Sequence, residues 1–310
     1  MTGEHEDAVT TDAAPVRDAG LGSASAQGAE EGAARLTARE LSLAYGDARV
    51  VHSVDVEIPP GAVTAVVGPN GCGKSTLLRA LARLHPAQTG RVLLDGRDIH
   101  SRPTREVARE LGLLPQSPIA PGGITVRDLV GRGRIPHLTA LRPWGPEDSR
   151  AVQAALEATG LTGLAERPVD SLSGGQRQRA WIALALAQET ELLLLDEPTT
   201  FLDIAHQYEV LDLLHHLSRG GRTVVVVLHD LGQAARYADH LILMSAGLIL
   251  ARGAASDVLT AQRVSAAFGL EVTVVPDPVT GTPLIVPLGT PAGRPSIARA
   301  RAAGRSERKP

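Results

Sequence analysis

Two kinds of apolar pattern run along this chain. Over Leu36–Tyr45 and Arg49–Ile58, apolar residues alternate with polar ones, which predicts antiparallel strands with one buried face. Ala62–Val67, Leu192–Leu195 and Thr223–Leu228 are instead continuous apolar runs, the pattern of parallel strands covered on both faces. Val92–Leu94 and Leu111–Leu114 predict further short strands. A helix is predicted from Lys74 to about Leu84, and a short one near Arg105. Residues 125–188 read as mostly helical, interrupted at Pro136, Pro143 and a glycine-rich turn at Gly174. Strands alternating with helices predict an α/β core. The helical stretch, about residues 117–188, reads as a subdomain inserted into that core.

Composition narrows the class. The 310 residues are 43% hydrophobic but only 2% aromatic, so aliphatic side chains must build the core. The net charge of −3 gives no electrostatic case for a nucleic-acid partner. A single cysteine excludes an internal disulfide and gives no support for a Cys/His metal cluster. No apolar run approaches the roughly 18 residues that span a bilayer, and the acidic start lacks the pattern of a signal peptide. The expectation is a soluble protein of the cytoplasm that meets a membrane only through a partner. Residues 1–34 carry seven acids against Arg17, and residues from about 289 onward are basic. Both read as disordered tails around a folded body at residues 35–288.

Chemistry concentrates in three motifs. Gly68-Pro69-Asn70-Gly71-Cys72-Gly73-Lys74-Ser75-Thr76 lies between a predicted strand and a predicted helix. That is the context of a phosphate-binding loop. Its glycines let backbone N–H groups curl around phosphates, and the following helix adds its positive dipole end. Lys74 would meet the β- and γ-phosphates, and Ser75 would give its hydroxyl to Mg²⁺. Only Lys74 and Lys309 are lysines, so the folded body keeps its one compact ammonium for this loop. Cys72 falls at a variable position of the loop and is no candidate nucleophile. The second motif is Leu192–Leu195 followed by Asp196-Glu197-Pro198. Two carboxylates emerge where ligands bind in such sheets. Asp196 would hold Mg²⁺ through water, and Glu197 would act as general base on the attacking water. The third motif is Leu172-Ser173-Gly174-Gly175-Gln176, 20 residues before Asp196 counting from Gln176.

This third motif resembles the signature of ABC-type ATPases, and the other motifs follow that family's order. The resemblance covers roughly residues 35–288. It implies an ABC-type P-loop ATPase core, a mixed sheet with an antiparallel β subdomain, plus the inserted helical subdomain. It also implies roles that spacing alone does not give. Tyr45 matches the aromatic that stacks on adenine. Gln116 matches the glutamine of a loop that contacts Mg²⁺ and the subdomain hinge. Asp203 matches the aspartate just after the paired acids, and His229 matches the switch histidine at the γ-phosphate. In that family Ser173, Gly174, Gly175 and Gln176 of one subunit face the ATP held by the other, so one copy of each motif implies a homodimer.

Three branches of the family fit poorly. Lys74 and Leu172 are only 98 residues apart with no heptads between them, unlike chromosome-maintenance ATPases. There is one cassette, unlike tandem translation factors, and no membrane span, unlike most exporters. The stretch from Asp196 to Gln207 resembles ATPases of ferric-siderophore, haem and vitamin B12 importers, as does Gly131–His137. That resemblance implies an importer subunit, first for a ferric siderophore, on the cytoplasmic face of a membrane. It would work with a permease and an external substrate-binding protein. The alternatives are a haem or cobalamin importer, or a soluble ABC ATPase such as one in iron–sulfur assembly.

Overall fold

The computed structural model describes residues 34–289. The expected tails therefore lie outside the described residues, apart from residues 34 and 289. Along the chain the strands are β1 (Leu36–Tyr45), β2 (Ala48–Ile58), β3 (Val63–Val67), β4 (Thr89–Leu94), β5 (Arg97–Asp98), β6 (Leu111–Leu114), β7 (Leu192–Asp196), β8 (Thr223–Val227), β9 (His240–Ser245), β10 (Leu248–Gly253), β11 (Val272–Pro276) and β12 (Pro283–Pro287). The helices are α1 (Lys74–Leu81), α2 (Thr104–Glu110), α3 (Val126–Gly131), α4 (Pro146–Ala158), α5 (Gly174–Ala187), α6 (Ile204–Arg219), α7 (Leu231–Tyr237), α8 (Ala255–Val258) and α9 (Ala261–Phe268).

The continuous apolar runs become the centre of a six-stranded sheet ordered β10-β9-β3-β8-β7-β6. Every residue of β3, β7 and β8 is buried. Their pairing is parallel, as is that of β6 with β7 and of β3 with β9. Only β10 runs antiparallel, on the edge beside β9. Both faces of this sheet are covered, which is why its strands carry no alternation.

The alternating segments form a separate antiparallel sheet ordered β2-β1-β4-β5. Its alternation is broken in β1. Glu40 takes a left-handed φ of 48°, and the register with β2 shifts there. Leu36, Thr37 and Ala38 are consequently buried in succession, as are Leu41, Ser42 and Leu43. A bulge of this kind bends and twists the strand. It curls the sheet over α1, and Leu41, Leu43, Val51, Leu77 and Leu81 share one core.

Helices α3, α4 and α5 lie between β6 and β7 in the chain. Their buried face, which includes Leu129, Val152, Leu156, Trp181 and Ile182, joins the core of the large sheet. Two expectations need correction here. Gly174 does not interrupt the helical stretch but is the first residue of α5, because Ser173 caps that helix. And α1 stops at Leu81 rather than Leu84, because Arg83 turns left-handed at φ 65°. The sequence reading assigns no element after Leu228, where the structure has two further hairpins, β9–β10 and β11–β12, and helices α7–α9.

Candidate nucleotide site

Four adjacent strands of the large sheet deliver the chemistry. β6, β7, β8 and β3 all point their C-terminal ends the same way, and Gln116, Asp196 with Glu197, His229 and the glycine-rich loop follow those ends in turn. Ligands bind at this edge in open α/β sheets.

The loop after β3 needs its glycines. Gly68 takes φ 148°, and a Cβ there would stand 2.1 Å from the carbonyl oxygen of Met244. Gly73 takes φ 105° immediately before α1. A Cβ at Gly73 would stand 3.0 Å from Val51 Cγ2. Within this loop Lys74 is only 5% exposed. Its ammonium donates to the carbonyls of Gly68 and Pro69, each at 2.9 Å. An ammonium has three N–H groups, so these bonds fix the charge at the loop mouth and leave donor capacity for an anion. Cys72 is buried, and burial pushes its thiol up from the usual range, which disfavours a thiolate.

Asp196 closes β7 in full burial. Its Oδ1 accepts a 2.8 Å hydrogen bond from Ser75 Oγ, while its Oδ2 is buried with no hydrogen-bond partner. Burial raises its pKa, against the opposing bond from Ser75. A buried, half-satisfied carboxylate beside a hydroxyl is a hard-oxygen set that fits a small divalent cation.

Glu197 is the next residue and has a left-handed φ of 54°, an uncommon conformation for glutamate. The bend presents its carboxylate to three neighbours. His229 Nε2 lies 2.7 Å from Oε1. Gln116 Nε2 donates to Oε2 at 2.6 Å, and the Thr200 hydroxyl donates to the same oxygen at 3.4 Å. Glu197, Gln116 and His229 line a cavity of about 450 Å³ together with Asn70, Gly71, Gly73, Lys74, Ser75 and Thr76. Val50 of β2 also lines it. Sequence reasoning missed Val50, and only its neighbours across the fold could have revealed it.

Tyr45, Asp203 and the stretch Ser173–Gln176 do not line this cavity. Tyr45 is 48% exposed at the end of β1. Ser173 caps α5 in a reciprocal box: its hydroxyl accepts from the Gln176 N–H at 3.3 Å, and Gln176 Oε1 accepts from the Ser173 N–H at 3.2 Å. Gly174 is exposed and Gly175 partly so. Asp203 caps α6, accepting from the His206 N–H at 3.0 Å. Its carboxyl lies below the usual range because of the backbone and side-chain hydrogen bonds from His206. Gln178 of α5 donates to the carbonyl of Pro198 at 3.0 Å, which ties the signature helix to the chain leaving Glu197.

A glycine cradle closed by a buried lysine, with a Ser–Asp pair and a glutamate at the neighbouring strand end, defines a P-loop ATPase. Comparisons with known proteins narrow the class. The family model described as ABC transporter matches residues 51–200. The ferric enterobactin transport ATP-binding protein FepC of Escherichia coli (strain K12) is 54% identical over 263 residues, 84% of this chain and 97% of that protein. The iron(3+)-hydroxamate import ATP-binding protein FhuC of Bacillus subtilis (strain 168) is 46% identical, over 80% of this chain and 93% of its own length. Among solved structures, the dimeric structure of a bacterial ABC transporter cassette superposes with a TM-score of 0.65 at 26% identity, covering 71% of this chain and 98% of that one. The chain belongs to the ABC transporter ATP-binding proteins: it binds and hydrolyses ATP as the ATPase subunit of a transporter. Among the described residues no helix is long and apolar enough to cross a membrane.

Proposed function

We propose that this protein is the motor of an importer for a ferric siderophore, acting as a homodimer on the cytoplasmic face of the membrane beneath a separate permease. The observation that carries the motor reading is the clamped Glu197 carboxylate, held by Gln116 and His229 at the mouth of the phosphate loop. The iron-chelate part rests on FepC and FhuC, whose names assign them to ferric enterobactin and iron(3+)-hydroxamate.

In this reading the loop of one subunit binds the phosphates of ATP through its backbone N–H groups and Lys74. Ser75, Asp196 and Gln116 would hold Mg²⁺, which would supply charge neutralisation on the phosphates. Glu197 accepts a proton from the attacking water. His229 orients that carboxylate and reaches the γ-phosphate. The base stacks on Tyr45. Ser173, Gly174 and Gly175 of the partner subunit cap the γ-phosphate with the N-terminus of their helix, and Asp203 flanks the same seam. Closure of the dimer moves the two helical layers together, and a groove between the Gln116 loop and residues 125–145 passes the motion to a coupling helix of the permease. Hydrolysis removes the bridge and resets the cycle. An external binding protein hands the chelate to the permease, so this subunit does not choose the cargo.

The test is deletion of the gene followed by uptake of labelled ferric siderophore, haem and cobalamin. Selective loss of siderophore uptake is expected. Loss of only haem or only cobalamin uptake keeps the motor and moves the cargo. Normal uptake of all three, with no co-purifying membrane protein, overturns import in favour of a soluble ATPase.

A further inference from the structure

Tyr45 stands at the tip of the β1–β2 hairpin, paired with Ala48 across a two-residue turn. Gly46 in that turn takes φ 57°, the left-handed conformation that tight hairpins require. On the other side of β1, pairing with β4 reaches only Ser42. Tyr45 thus lies beyond the β1–β4 pairing and is held in the sheet from the β2 side alone. Its ring is nevertheless held from one side by His85. The two ring centroids are 4.6 Å apart with the planes tilted by 45°. His85 Nε2 lies 3.0 Å from the carbonyl oxygen of Ala44. That oxygen can only accept, so Nε2 carries the proton. One imidazole therefore grips the backbone of Ala44 and covers the ring of the next residue.

The local fold explains how His85 arrives there. It follows α1, whose first residue is Lys74. Beyond the end of the helix the left-handed Arg83 reverses the chain. The N–H groups of Leu84 and His85 both return to the carbonyl of Arg79, at 2.7 and 3.3 Å. This turn throws His85 back onto β1. A single helix thus has the phosphate-loop lysine at one end and the Tyr45 brace just past the other.

We propose that His85 is a positioning residue for nucleotide binding: it fixes the Tyr45 ring in the orientation that stacks on the base, and thereby sets affinity for the base rather than the rate of hydrolysis. The inference rests on the assignment of Tyr45 to adenine made above. An aromatic side chain at a hairpin tip must lose its rotamer freedom to stack on a ligand, and a brace that orders it beforehand removes that cost. With Tyr45 still 48% exposed, His85 covers only part of the ring and leaves the rest open to a planar partner. His85 belongs to none of the motifs, so only the three-dimensional contact assigns it this role.

Steady-state ATPase kinetics on the full-length protein test this, with Tyr45→Ala, His85→Ala, His85→Phe and the Tyr45→Ala/His85→Ala double variant, and with inorganic tripolyphosphate as a competitor lacking a base. His85→Ala is expected to raise KM for ATP roughly two- to tenfold, the range a ring–ring contact spans, with kcat within twofold and the tripolyphosphate inhibition constant unchanged. His85→Phe, which keeps a ring against Tyr45, recovers most of that loss. In the Tyr45→Ala background, His85→Ala adds nothing further. An unchanged KM in His85→Ala, a His85→Phe value equal to that of His85→Ala, an additive effect in the double variant, or parallel weakening of tripolyphosphate overturns the proposal. If Tyr45→Ala itself leaves KM for ATP unchanged, the adenine assignment fails first. If Tyr45→Ala raises KM and His85→Ala does not, only the role of His85 falls.

Discussion

His229 Nε2 and Glu197 Oε1 lie 2.7 Å apart, joining the second residue after β8 to the first residue after β7 across two neighbouring strands. The contact orients a carboxylate whose other oxygen is occupied by Gln116. A carboxylate fixed on both sides presents a defined lone pair to water, and in-line hydrolysis depends on such positioning.

Replacing Glu197 with Gln keeps the size of the side chain and removes its basicity. ATP should still bind, and turnover should fall by roughly 100-fold or more. Dimers should accumulate when ATP is present. Phosphate release and size-exclusion chromatography with ATP check both effects, and undiminished turnover would remove Glu197 as the base.

Lys74→Ala should weaken ATP binding, because among the described residues Lys74 is the only lysine. Lys74→Arg should weaken it too. The buried ammonium donates to two loop carbonyls, and a planar guanidinium is too broad for that position. Equilibrium binding of a fluorescent ATP analogue measures the loss; wild-type affinity in both variants would contradict the loop assignment.

Asp196 predicts a separation between metal response and intrinsic stability. Its folded-state pKa is raised by burial, so ionisation is harder in the fold than in the unfolded chain. The resulting penalty is absent below the unfolded pKa, grows as pH rises towards the folded pKa, and is present in full above it. Near neutral pH without metal, Asp196→Asn should therefore melt no lower than wild type. Mg²⁺ with ATP should raise the melting temperature of wild type but not of the variant. A thermal melt from pH 5 to 8 with and without Mg²⁺–ATP decides it: an equal Mg²⁺-dependent rise in both proteins would remove Asp196 from the metal site.

The Gly131–His137 stretch predicts a stability effect. Arg134 is 3% exposed and donates from Nε to the fully buried Asp148 at 2.9 Å and from Nη1 to the carbonyl of Ala187 at 2.8 Å. Burial works against ionisation of Asp148, but the hydrogen bonds from Arg134 and Gly145 outweigh it and hold the carboxyl below the usual range. This stabilisation is present above the unfolded pKa of the aspartate and is lost as pH falls through the lower folded value. Arg134→Ala removes the closer of two arginines from the buried carboxylate, leaving Arg142 at 3.5 Å, and should cost up to about 3–5 kcal/mol. Gly133→Ala should also destabilise, since its Cβ would stand 2.4 Å from the backbone carbonyl of Leu184. Urea denaturation measures both, and a loss under about 1 kcal/mol for Arg134→Ala would show that water replaces the pair.

The chain's local patterns determined a good deal by themselves. Continuous apolar runs marked β3, β7 and β8, because a strand covered on both faces has no polar positions to alternate. The phosphate loop was legible because its glycines, lysine and serine act within nine consecutive residues, and backbone curvature there is a local property. What lay far apart in sequence was not legible in this way. The Ser75–Asp196 bond spans 121 positions and the Gln116–Glu197 bond 81. Strand order alone makes such residues neighbours: β6, β7, β8 and β3 had to lie side by side for their four following residues to converge. The same holds for the unpaired oxygen of Asp196 and for His85 against Tyr45, where a helix end folds back on a hairpin. After Leu228 the buried apolar run Leu241–Met244 of β9 has the same pattern as β3 and was legible, but its hairpin partner was not. In β10 exposed and half-buried residues alternate, with Leu248 and Leu250 on the open side, so its apolar positions do not mark a core face. The sequence named the candidate groups, and the tertiary structure decided which of them touch, because contact depends on how the chain returns to itself and not on what stands next in line.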